Sequence, residues 1–104
     1  MKYSIIESLA IERMESGHKC LNLTNGIGWE DFPAFAEQIV VALGAKVTLR
    51  NDMPDVRLWV IEADGIRLRL VFDDFPAVVT LESSSAEADS LIEHFYSNWK
   101  ASLQ

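Results

Sequence analysis

Residues Arg57 to Phe72 read RLWVIEADGIRLRLVF. Two alternating apolar runs flank Asp64-Gly65. Both central residues of a type I′ turn need φ > 0, and Asp-Gly adopts that pair at low cost. The stretch predicts a tight hairpin with a two-residue loop, which fixes its register. Ala63 then falls opposite Ile66, Ile61 opposite Leu68 and Trp59 opposite Leu70. These six side chains share one face and form the sheet's share of a core. On the other face Glu62 lies opposite Arg67, the geometry of a cross-strand ion pair. Leu58 falls opposite Val71 there, and Val60 opposite Arg69. A fully solvated sheet face would be more polar than this one.

Working outward, alternation and periodicity place the remaining elements. Ser8 to Glu15 alternates Leu9 and Ile11 against Ala10 and Glu12, which suits a strand. Ser16-Gly17 marks a turn, and Lys19 to Thr24 returns as a second strand with Leu21 and Leu23 on one side. Asn25-Gly26 and Gly28 interrupt the pattern. From Trp29 to Leu43 the residues Phe32, Phe35, Ala36, Ile39, Ala42 and Leu43 recur at helical spacing. Pro33 is tolerated only in the first turn of that helix. Glu30 and Asp31 suit its positive end, and Gly44 suits its C-terminal cap. Lys46 to Arg50 is a further strand, with Val47 and Leu49 on one side.

Beyond the hairpin, Asp73-Asp74-Phe75-Pro76 reads as a loop. Ala77 to Glu82 follows as a sixth strand with Val79 and Leu81 inward. Ser84-Ser85-Ala86-Glu87 has the capping-box spacing. The helix it opens carries Ala88, Leu91, Ile92, Phe95 and Trp99 on one face. The expected fold is α+β: a two-layer sandwich in the order ββαββββα, with a mostly antiparallel sheet and both amphipathic helices on one face.

Bulk properties narrow the function. The chain has 104 residues, enough for one domain over 1–104. Its 49% hydrophobic and 24% charged content is that of an ordinary globular protein. Sixteen acids against nine bases give a net charge of −7. That charge opposes nucleic-acid backbones and anionic membranes, and suits solubility or a basic protein partner. The lone Cys20 excludes an intramolecular disulfide and fits a reducing compartment. The opening residues, with acids at Glu7 and Glu12, do not read as a signal peptide, so a cytoplasmic location is expected.

No chemical motif matches the hairpin in strength. His18 and Cys20 lie two apart, so on a strand they would share a face, as a thiol and its base must. A lone Cys in a strand nevertheless belongs more often to packing. His18, Cys20 and His94 lack the spacing of a metal site. The loop acids Asp52, Asp55, Asp64, Asp73 and Asp74 lack calcium-loop spacing. Asn25-Gly26-Ile27-Gly28 precedes a helix but has no lysine and is followed by acids, so a phosphate is disfavoured there. Arg67 and Arg69 share the outer hairpin face, with Glu62 beside them. Trp59 and Trp99 fall on core faces; Trp29, at a helix start, is less explained.

The segment Ile27-Gly28-Trp29-Glu30-Asp31-Phe32-Pro33, followed by a Trp-bearing strand and Leu81-Glu82, resembles a small family of uncharacterised bacterial proteins of about this length, a domain of unknown function. The resemblance implies a bacterial, cytoplasmic, single-domain protein, and brings no activity, ligand or catalytic residue. In its acidic, compact character the chain is also similar to bacterial toxin-immunity proteins.

The expectation is a non-enzymatic protein-interaction module with no cofactor, acting on a protein partner or as a homodimer. Its face would be Leu58, Val60, Val71, Glu62, Arg67 and Arg69. The alternative is a small enzyme or ligand-binding domain using His18 and Cys20.

Overall fold

The computed structural model describes residues 9–74 and 76–102. Strands β1 (Ala10–Arg13) and β2 (Lys19–Thr24) lead through a 3-10 turn (Trp29–Asp31) into helix α1 (Phe32–Leu43). Strands β3 (Lys46–Asp52), β4 (Val56–Ala63), β5 (Ile66–Asp74) and β6 (Ala77–Glu82) follow, then helix α2 (Ala86–Ser102). The fold is α+β. Its six strands form one sheet in the order β1-β2-β6-β5-β4-β3, every neighbouring pair antiparallel. Ser8, where the first strand was expected to begin, and Phe75, in the expected loop, lie outside the described residues. Asp73 and Asp74 extend β5 instead of forming that loop.

The hairpin of Arg57 to Phe72 takes the register that its turn dictates, with Trp59 opposite Leu70, Ile61 opposite Leu68 and Ala63 opposite Ile66. Asp64 and Gly65 sit at φ 53° and 75°, the left-handed pair that a type I′ turn requires. Gly44 caps α1 at φ 63°, and Pro33 occupies the first turn. The expected helix start at Trp29 is tighter than an α-helix. Residues 29–31 form a 3-10 turn, and the Asp31 carboxylate accepts from the Gly28 N–H at 3.0 Å.

One core joins the elements. Leu21, Leu23, Trp59, Ile61, Leu68, Leu70, Phe72, Val79 and Leu81 of the sheet are buried in the same cluster as Phe32, Phe35, Ala36 and Ile39 of α1. Ala88, Ile92 and Trp99 of α2 belong to it too. Under α1 the aromatic rings interlock: Phe32 meets Trp59 edge-on at 5.7 Å and Phe72 at 5.9 Å.

Two expectations about side-chain direction are corrected. Val47 and Leu49 do not share a side, because the β3–β4 register shifts between them. Val47 pairs with Ile61 on the core face, while Leu49 pairs with Val60 and is 53% exposed. A bulge adds a residue to one strand and so reverses the alternation beyond it. The expected capping box does not form, because the cap is displaced by one. Ser85, not Ser84, caps α2, its hydroxyl accepting from the Ala88 N–H at 3.0 Å. Position N3 is then Ala88, whose methyl group cannot accept from the cap's backbone N–H.

Candidate functional site

Alternation gives the sheet a second face, opposite the core. Leu58, Val60 and Glu62 of β4 point there, beside Arg67, Arg69 and Val71 of β5. Thr80 and Glu82 of β6 continue it through their pairing with Val71 and Arg69. Cys20 and Asn22 of β2 follow, paired with Glu82 and Thr80. On the far edge the bulge adds Leu49. Leu58, Val60 and Val71 are half-buried, so with Leu49 they make an apolar strip that water still reaches.

The charges around this strip are arranged unlike the sequence expectation. Glu62 and Arg67 are opposite each other, as the register requires, but form no ion pair. Glu62 instead lies 3.9 Å from Lys46 across the β3–β4 ladder. The Glu82 carboxylate takes Arg69 at 3.2 Å. Arg67 is exposed and has no ion-pair partner among the described residues. Glu12 accepts from the Asn22 amide at 2.8 Å.

Cys20 and His18 are not brought into a common arrangement. Cys20 is buried on the sheet's second face, across from Glu12 on one side and Glu82 on the other. Burial pushes its thiol pKa up, and the two carboxylates push the same way. That is the opposite of what an attacking thiolate needs. His18 precedes β2 and turns to α2, its Nδ1 lying 2.9 Å from Asp89 Oδ2. The other Asp89 oxygen accepts from the Lys19 N–H at 2.8 Å. These hydrogen bonds, that of His18 first, hold the Asp89 carboxyl well below the usual carboxylate range. His94 sits on α2 beside the Asn98 amide. Among the described residues no cluster of three His, Cys, Asp or Glu is set to hold a metal ion. No helix there is long and apolar enough to cross a membrane.

A cleft of about 380 Å³ lies between the first hairpin and α2, lined by Ile11, Glu12, Arg13, Lys19, Glu93, Tyr96 and Ser97. Its charged groups are already engaged: Lys19 pairs with Glu93, Arg13 donates to the Gly17 carbonyl, and Glu12 accepts from Asn22.

Trp29 is explained by Arg57. The Arg57 guanidinium lies 4.9 Å over the indole and donates to the Trp29 carbonyl at 2.9 Å. It also grips both Asp52 oxygens, at 3.0 and 3.1 Å. Sequence could have signalled this: Arg57 shares the alternation of Trp59 and Ile61, and an arginine on a core-facing row needs a partner.

The fold is of the α+β class, with two helices and an antiparallel sheet. Residues 9–100 match the model of a family described as protein of unknown function, DUF3630, and the chain belongs to that family. No curated protein and no solved structure matches it.

Proposed function

We propose that the chain is a single-domain, non-enzymatic protein-interaction module, a two-layer sandwich whose sheet face away from α1 and α2 is the docking surface. The observation that carries this reading is the strip of Leu49, Leu58, Val60 and Val71. Leu49 is 53% exposed and the others are half-buried. Four branched aliphatic side chains side by side on strands form the contiguous apolar patch that marks an interface. Arg67 and Arg69 at its margin supply the residue type enriched at such contacts. The raised thiol pKa of Cys20 and the engagement of His18 by Asp89 weigh against the enzymatic alternative. A buried free thiol fits a reducing cytoplasm. The charge of −7 weighs against nucleic acid and anionic membranes.

The test is purification of the tagged chain from its own host, as wild type and as Val60→Asp. Mass spectrometry then identifies what stays bound, untagged copies of the chain included. A defined protein held by wild type and lost from Val60→Asp is the expected result. Identical sets on both would sink the assignment of this face.

A further inference from the structure

We propose that the occupant of this face is a second copy of the chain, packed face to face across a two-fold axis. The inference rests on the docking-surface reading above and names its partner.

Charge distribution selects the partner. Among the described residues the second face carries three bases, Lys46, Arg67 and Arg69, against four acids, Glu12, Glu62, Glu82 and Asp73. Its net charge is −1, which leaves −6 of the chain's −7 elsewhere. A basic partner is therefore drawn to the remaining surface and not to this face. Two like-charged copies, by contrast, meet with least repulsion where their own charge nearly cancels.

The face is also self-complementary. In a two-fold contact residue i meets j while j meets i. Arg67 is an exposed cation without an ion pair among the described residues. Among the described residues Glu62 holds only the distant Lys46 contact of 3.9 Å. The two side chains are cross-strand neighbours within one copy, so a two-fold axis beside them brings Arg67 of each copy to Glu62 of the other. Leu49, Leu58, Val60 and Val71 are then buried between the sheets, as in face-to-face sheet packing. Size permits it: the molecule measures 31 × 29 × 26 Å, so one face offers on the order of the ~800 Å² per partner that a stable interface buries.

The experiment is sedimentation velocity on the full chain from about 1 to about 200 μM, a range that brackets micromolar association. Wild type is expected to shift from the chain mass towards twice that mass. Val60→Asp and Leu49→Asp are expected to stay monomeric, with circular dichroism showing both folded. Leu49 sits on the bulged edge strand, where a charge is tolerated by the monomer. Arg67→Glu should weaken the dimer about tenfold, and Arg67→Glu with Glu62→Arg should restore it. A wild type that is monomeric throughout overturns the second copy as occupant. It leaves the docking face standing if the host purification still yields a protein lost from Val60→Asp. A dimer that survives both aspartate variants overturns the inference and places self-association elsewhere.

Discussion

The Asp89 carboxylate joins two segments 71 residues apart in sequence. One oxygen takes the His18 ring and the other the Lys19 N–H, so a single residue pins the start of β2 to α2. The backbone adds a further tie, Ser83 N–H to the Lys19 carbonyl at 3.0 Å. Nothing near Asp89 in sequence announces this role. A helix acid in the first turns reads as a dipole partner, and its real partners appear only when the chain folds. Asp64, by contrast, was legible, because its left-handed φ answers to its immediate neighbour Gly65. The Asp89 pKa is lowered by folding, so its contribution is fully present above the unfolded value of about 3.9. It fades as pH falls from there towards the lower folded value. Asp89→Asn is therefore expected to be less stable than wild type at neutral pH, with the gap narrowing at about pH 3. Urea midpoints at both pH values measure it. A gap that widens on acidification would contradict the assigned role.

Elements were legible where one period ran unbroken, and misread where a single residue displaced it. In β4 and β5 the alternation is continuous, and Trp59, Ile61, Ala63, Ile66, Leu68 and Leu70 were all placed inward, although Arg57 and the buried Phe72, which end the same row, were not. In β3 one bulged residue intervenes; Leu49 looked equivalent to Val47 and lies on the opposite face. The shift enlarges the apolar strip, so the error concealed part of the candidate site. The start of α2 shows the same effect at a helix end. Ser84-x-x-Glu87 has the box spacing, yet Ser85 provides the cap, and the buried Ser83 exchanges hydrogen bonds with the Ser85 backbone. Two serines in succession make the cap's position ambiguous to a pattern. Their substitutions separate them. Ser85→Ala is expected to cost about 1 kcal/mol of unfolding free energy. Ser84→Ala, at an exposed position, should stay within about 0.5 kcal/mol of wild type. Chemical denaturation of both variants decides it, and the reverse order would return the cap to Ser84.

Across the whole molecule, the order of the strands was the least legible feature. Hairpins are local, so β1–β2 and the run from β3 to β6 follow from turns. The pairing of β2 with β6 does not: it joins residues some sixty apart, Cys20 to Glu82 and Leu21 to Leu81. That pairing completes the second face by setting Glu82 between Cys20 and Arg69, and so places Glu12 of the first hairpin on the same surface as the apolar strip. Net charge then governs how two copies approach. Each carries −7, mostly away from this face, and the molecule is 26 to 31 Å across. Near 0.01 M salt the Debye length is about 30 Å, so each copy feels the whole charge of the other; near 0.15 M it is about 8 Å, and only groups at the contact remain coupled. Removing that long-range repulsion outweighs the weakening of the rim pairs between Arg67 and Glu62, which are exposed and individually weak. Self-association is expected to tighten by on the order of tenfold across this range, read as the dimer dissociation constant by sedimentation at each salt concentration. A dimer that loosens as salt is added would mean that attraction between opposite charges, and not burial of the apolar strip, holds the copies together.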